Sequence, residues 1–251
     1  MPGMDAPYTP RYYERQEGGS VEAAKAIVPH VLNLIAPRSV IDVGCGVGTW
    51  LSVFHERGIQ IAGFDGTWVK EEKLHIPKEN FSAIDIETIG DIGHADLAMS
   101  LEVGEHVSAA AAPKLVAALV HAAPVVLFSA AIPLQGGTHH INEQWPSYWA
   151  HLFRAHGYVP IDCIRPRVWN ERIDYWYAQN SIIYVDKDKL STYPQLARLA
   201  EEGFPDPLPL VHPQKFLYVA ERYKLIEPFI ALLPGGLVRG GKRLLSRLFR
   251  R

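Results

Sequence analysis

The chain is poor in cysteine: 251 residues hold two, Cys45 and Cys163. Neither a disulfide framework nor a cysteine metal site is expected, and a reducing cytoplasm is the default compartment. Long apolar runs are also missing. Nothing approaches about 18 uninterrupted apolar residues, and Met1-Pro2-Gly3-Met4-Asp5 is not a basic segment followed by an apolar one, so membrane spanning and secretion are not expected. Charge of one sign does not dominate. With 25 basic and 27 acidic residues the net charge is -2, which gives no global attraction to nucleic acid or acidic membranes. Internal repeats and low-complexity tracts are absent too. What remains is a globular chain, 48% hydrophobic and long enough for one α/β domain with additions.

The informative stretch is Ser39-Val40-Ile41-Asp42-Val43-Gly44-Cys45-Gly46-Val47-Gly48-Thr49-Trp50. A β-branched run leads into a glycine-rich turn and then a helix, the form of a cofactor loop. Glycines suit it because side chains would forbid the positive φ values of so tight a turn and hold the backbone off the ligand. Asp42 lies two residues before the first glycine, facing the ligand's polar end, and this argues against a pyrophosphate. A dinucleotide loop would also want its third glycine where Thr49 stands. A cationic ligand whose ammonium donates to the carboxylate fits better.

Residues 1–19 mix tyrosine, proline and charge without periodicity and read as an arm, in which Tyr13 or Arg15 either reaches the cofactor carboxylate or only packs on the surface. Ser20 can cap a helix to Ile35 that Pro29 kinks or breaks. Strands are expected at 39–43, 60–64, 81–86, 95–101, 125–129, 158–164 and 181–185, the last two an antiparallel pair. In an open α/β sheet the ligand crevice lies beyond the carboxyl ends of the strands, so Asp42, Asp65, Asp85 and Glu102 would gather on one edge. Asp65 suits a pair of ribose hydroxyls or a turn cap. Asp85 suits an adenine amino group, with Ile86 alongside, or a turn. Trp68 is either an adenine neighbour or a core residue.

Together, Val40 to Gly48, Asp65, Asp85 and Ser100-Leu101-Glu102-Val103-Gly104-Glu105-His106 resemble the four successive motifs of class I S-adenosylmethionine-dependent methyltransferases. The resemblance implies a Rossmann-like sheet of seven strands, mostly parallel with the last antiparallel, and helices on both faces. It implies that Asp42, Gly44, Cys45, Gly46 and Gly48 hold the methionine end of the cofactor, Asp65 the ribose, Asp85 and Ile86 the adenine, and Leu101 with Glu102 the sulfonium side. The methyltransferase domain would cover residues 20–190, with a C-terminal appendage over 191–251.

Methyl transfer to a hydroxyl needs alignment, a dry pocket and a base or metal at the O–H bond. The candidate bases are His140, then His106 with Glu105 and Glu102 orienting it; imidazole titrates near neutrality. His139 is a further candidate base or a turn residue. Glu102, Glu105, His106 and His140 are also similar to the ligand set of small-RNA 2′-O-methyltransferases, which implies a site for Mg²⁺ or Mn²⁺. The Trp- and Arg-rich stretch 165–177 can line the acceptor pocket through Arg167, Trp169, Tyr175 and Trp176, or form a structural rim.

The leading expectation is O-methylation of a small-molecule hydroxyl, a sugar or secondary metabolite. The alternatives are an RNA-end 2′-O-methyltransferase with a divalent metal, weakened by the lack of a basic stripe, and a non-catalytic cofactor-binding module at the membrane. The last rests on residues 237–251, which contain no acidic residue and put Leu244, Leu245, Leu248 and Phe249 on one helical face. Such a segment can make peripheral contact with an anionic membrane, or be a solvated or partner-bound tail.

Overall fold

The computed structural model describes residues 10–231, with side chains from 19 to 225. The arm side chains Tyr13 and Arg15, and the tail over 237–251, lie outside the described residues. The chain divides into two compact units, up to Leu210 and from Val211.

The first unit is built on β1 (Ser39–Val43), β2 (Gln60–Asp65), β3 (Phe81–Ala83), β4 (Leu97–Leu101), β5 (Val125–Ser129), β6 (Tyr158–Ile161) and β7 (Ile182–Asp186). Apolar runs such as Val125-Val126-Leu127-Phe128 are buried at every position, which suits central strands covered on both faces. They form one sheet in the order β3-β2-β1-β4-β5-β7-β6, parallel from β3 to β5, with β7 antiparallel to both its neighbours. The strand order turns between β1 and β4, so a crevice opens at their carboxyl ends.

Helices cover both faces. On one, α1 (Pro10–Ile35) and α2 (Thr49–His55) pack through Ile27, Val31, Leu51 and Phe54. On the other, α3 (Ala112–Ala122) and α4 (Pro146–Arg154) bury Leu115, Leu119, Trp149 and Phe153, the last stacked on Tyr184 with ring centroids 3.8 Å apart. Two short helices, α5 (Arg165–Val168) and α6 (Tyr175–Asn180), structure the Trp- and Arg-rich stretch. No helix among the described residues is long and apolar enough to cross a membrane.

Three local expectations change. The first helix begins at Pro10 and not at Ser20, which lies inside it and bonds sideways, its hydroxyl 2.8 Å from that of Thr49. The helix runs through Pro29, which is on the exposed side, where water can satisfy the carbonyl that proline leaves without a donor. β3 stops at Ala83, because Asp85 caps a short 3₁₀ turn, Ile86–Thr88, by accepting from the amide of Glu87. Past β7, α7 (Pro194–Glu202) packs on β6 with Leu196 fully buried and is part of the first unit. The second unit contains α8 (Pro213–Ala231).

Candidate active site

The glycine turn leaves the end of β1 with Gly44, Gly46 and Gly48 all at positive φ. At Gly44 a side chain would also collide with Val103, in the loop after β4, so the two strand ends touch through this missing Cβ. Gly46 has open space around it, and its constraint is the left-handed backbone alone. The turn is tied to the next strand: the amides of Gly44 and Cys45 donate to Phe64 O, and that of Gly46 to Asp65 Oδ2 at 2.7 Å. Asp65 Oδ1 accepts from Gly66 N at 2.6 Å. Asp65 is therefore a brace of the turn as well as a wall of the cleft.

The cleft beyond these strand ends is lined by Asp42, the turn, Asp65, Trp68, Ile86, Leu101 and Glu102, with Ser20 of α1 and Tyr177 of α6 closing it. Burial pushes Asp42 from its ordinary 3.8 up to about 8, with the neighbouring Asp65 adding to the effect. Trp68 is 56% exposed and folds back over Gly66 at the rim, so it is not a core residue. Cys45 lines the cleft, but its sulfur packs toward β2, 2.8 Å from where a Cβ on Gly63 would be. Asp85 is exposed and engaged as a cap by Glu87 and Thr88, and Ile86 is the residue of that turn that reaches the cleft wall.

A second pocket adjoins the first and shares Glu102 and His106 with it. Gln135, Thr138 and His140 line it on one side and Asp174, Tyr175 and Trp176 on the other. The loop after β5 is fastened to the loop after β4 by the amides of Ile141 and Asn142, which both donate to Glu105 O. That brings His140 edge-on to His106, ring centroids 4.9 Å apart. His140 Nδ1 is 3.0 Å from Glu143 Oε1, and the same carboxylate accepts from the amides of Leu134 and Gly136. Its Nε2 lies 4.0 Å from Glu105 Oε1. Gly137 gives the ring its room, since a Cβ there would overlap the imidazole.

Glu102, at φ +55, is held by a buried amide cluster: Asn180 Nδ2 donates to Oε1 at 3.0 Å and Gln135 Nε2 to Oε2 at 2.9 Å, and Gln179 joins the two amides. Burial lifts Glu102 to about 7 against the pull of Asn180, Ser129 and Gln135. Burial pushes Glu105 well above the carboxylate range, and Glu102 beside it pushes the same way. His106 is lowered to about 4 by burial and by His140, so it is a neutral imidazole.

Glu105, His106 and His140 offer ligand atoms within 4.8 Å of one another, and Glu105 Oε2 and His106 Nδ1 are buried with no hydrogen-bond partner. These three fit a divalent cation. Glu102 stands outside the group, its carboxylate already taken by amides. It does not orient His106 either. Of the four residues expected from stretch 165–177, Tyr175 and Trp176 reach the pocket, while Arg167 donates to Cys163 O. Sequence reasoning missed Glu143, Gln135, Gln179, Asn180 and Tyr177. Glu143 carried a signal, a carboxylate three residues after a histidine in a glycine-rich loop; the amides carried none. On the far wall, Gly19 of α1 packs so closely on Asp174 that a Cβ would collide with the carboxylate.

Comparison with known proteins fits this geometry. The family model of a methyltransferase domain matches residues 15–176. Among solved structures, the chain is similar to an O-methyltransferase family protein from Burkholderia thailandensis, at 18% identity and TM-score 0.50, with 70% of this chain and 59% of that one covered. It is similar to S-adenosylmethionine-bound CalS10, an amino pentose methyltransferase from Micromonospora echinaspora, at 15% identity and TM-score 0.52, with 74% of this chain and 100% of that one covered. At these identities the likeness is one of fold. No curated protein matches the sequence.

Proposed function

The chain belongs to the class I S-adenosylmethionine-dependent methyltransferases, and from that premise we propose that it methylates a hydroxyl of a small molecule, a sugar or a secondary metabolite. S-adenosylmethionine is the cofactor. Asp42 takes its ammonium, Asp65 its ribose, Ile86 and Trp68 flank the adenine, and Leu101 and Glu102 border the sulfonium. The acceptor pocket meets the cofactor cleft at Glu102 and His106, where the activated methyl group would emerge.

One observation carries the reading: His140, braced at Nδ1 by Glu143, lines the acceptor pocket, its Nε2 4.0 Å from Glu105 Oε1. A carboxylate accepts only, so the imidazole proton stays on Nδ1 and leaves the Nε2 lone pair to take the hydroxyl proton as oxygen attacks the methyl carbon. His106, with its lowered pKa, is the poorer base. Glu105, buried beside Glu102, shapes the pocket. Tyr175 and Trp176 offer aromatic faces, and Asp174 and Thr138 polar groups, a lining suited to a polyhydroxylated ring.

A second reading rests on the two unpartnered buried atoms of Glu105 and His106. Mg²⁺ or Mn²⁺ held by Glu105, His106 and His140 would polarise the acceptor hydroxyl and lower its pKa. An RNA end as acceptor has less support, since phosphate contacts need basic residues and the pocket lining has none beyond histidine. The family and the braced His140 also weigh against a module without chemistry. A panel of glycosides, nucleotide sugars and phenols, read as release of S-adenosylhomocysteine, tests the proposal. Turnover with a hydroxyl acceptor that survives EDTA supports His140 as base; turnover that EDTA abolishes and Mg²⁺ or Mn²⁺ restores supports the metal; turnover with amine acceptors alone overturns both.

A further inference from the structure

The second unit has an unusual surface. On α8, Phe216, Leu217, Tyr218, Val219, Tyr223 and Leu225 are all between 47% and 73% exposed. Soluble domains seldom leave so many large apolar side chains together in water without a use for them. Phe216, Val219 and Tyr223 recur at i, i+3 and i+7 and so share one stripe of the helix. Tyr218 extends the apolar surface and is attended by two cations, Lys215 Nζ at 5.3 Å and Arg222 Cζ at 4.8 Å from the ring centroid.

Charge separates along the same boundary. Residues 211–251 carry nine Lys and Arg against two Asp and Glu, while residues 1–210 carry sixteen against twenty-five. Six of the nine basic residues fall in 232–251, interleaved with leucine and without a single acid. We infer that the second unit docks the enzyme on an anionic lipid surface. The aromatic and aliphatic side chains of α8 enter the headgroup boundary, and the Lys and Arg side chains meet the anionic headgroups.

Other occupants fit the chemistry less well. A second copy docked through this unit would bring together two units that each carry nine basic residues against two acidic, which costs like-charge repulsion. Nucleic acid would meet the charge but not Leu217, Val219 and Leu225, which have no aromatic face on which bases stack. A bilayer with anionic headgroups uses both features at once.

Co-sedimentation of the full-length protein with vesicles tests this, using phosphatidylcholine alone and phosphatidylcholine with a third phosphatidylglycerol, at low and high salt. The anionic vesicles should carry down at least about tenfold more protein at low salt, since each cation near the surface adds to the attraction. The double variant Phe216→Asp/Tyr223→Asp should lose most of that binding. The triple variant Arg239→Glu/Lys242→Glu/Arg243→Glu should lose the salt-sensitive part. Melting temperature, read alongside, shows that each variant is folded. Equal binding to both vesicles, binding to neither, a dimer in light scattering that the aspartates split, or tighter binding to single-stranded RNA than to anionic vesicles would each overturn the inference.

Discussion

The cofactor half of the cleft and its acceptor half are made by different means. The first is made of backbone: three glycines at positive φ, amides given to Phe64 and Asp65, and strand ends supplied by adjacent parallel strands. The second is made of side chains: Glu102, Gln135 and Asn180 come from three separate segments and hold one another by hydrogen bonds, and Glu143 holds His140. Backbone sites depend on conformations that a few residue types permit. Side-chain lattices depend on every partner being present, because a buried polar group left alone costs about 1–3 kcal/mol.

The sharpest way to break this contrast is His140→Ala, which removes chemistry from the acceptor half alone. We expect kcat to fall by about 10²–10⁴-fold while the dissociation constant for S-adenosylmethionine, read by calorimetry, changes little. An unchanged kcat would sink the assignment of the base, and equal losses in both quantities would show that the halves are not separable.

The next effect belongs to the cofactor half. Asp42, at about 8, is mostly protonated at neutral pH and must lose that proton to accept from the cofactor's ammonium. Binding therefore releases a proton, and affinity should weaken by about tenfold for each pH unit below 8. Asp42→Asn should bind weakly with a flat profile between pH 6 and pH 8. The same group sets a stability trend of known sign. Its folded pKa is raised, so its contribution is complete below the ordinary carboxylate value of 3.8 and disappears as pH rises through about 8. At pH 8 and above, Asp42→Asn should melt higher than the wild type; a lower melting point would mean that the carboxylate is held by partners in the ligand-free protein.

The smallest expected effect is at Asp85. Because its carboxylate caps a turn, Asp85→Ala should cost stability of about 0.5–2 kcal/mol and leave cofactor affinity within about threefold. A much larger loss of affinity would return Asp85 to the adenine.

The same contrast explains what could be read from the sequence. The glycine turn, the strands flanking it and the acids at their ends are local patterns with physical causes, so Asp42, Asp65 and Leu101 were legible as lining residues. Histidines 106 and 140 were legible as a chemical type, and the fastening of one loop to the other brings them together. The amide cluster was not legible: Gln135, Gln179 and Asn180 fall in no periodic pattern, and their meaning arises only when β5 and β7 lie side by side. Nor could local propensity foresee a left-handed Glu102, a conformation imposed by the contacts on both sides of it. The early start of the first helix was not legible, because residues 1–19 show no periodicity and Ser20 has the chemistry of a cap.

Gly19 has a consequence for how such an enzyme changes its acceptor. The helix that carries it leaves no room for a methyl group beside Asp174, and Asp174 is a wall of the acceptor pocket. A side chain at position 19 would therefore displace the Asp174 carboxylate and reshape that wall from behind, without substituting any group that binds cofactor or moves protons. Selection, natural or in the laboratory, could retune which molecules enter by editing a residue that never touches them.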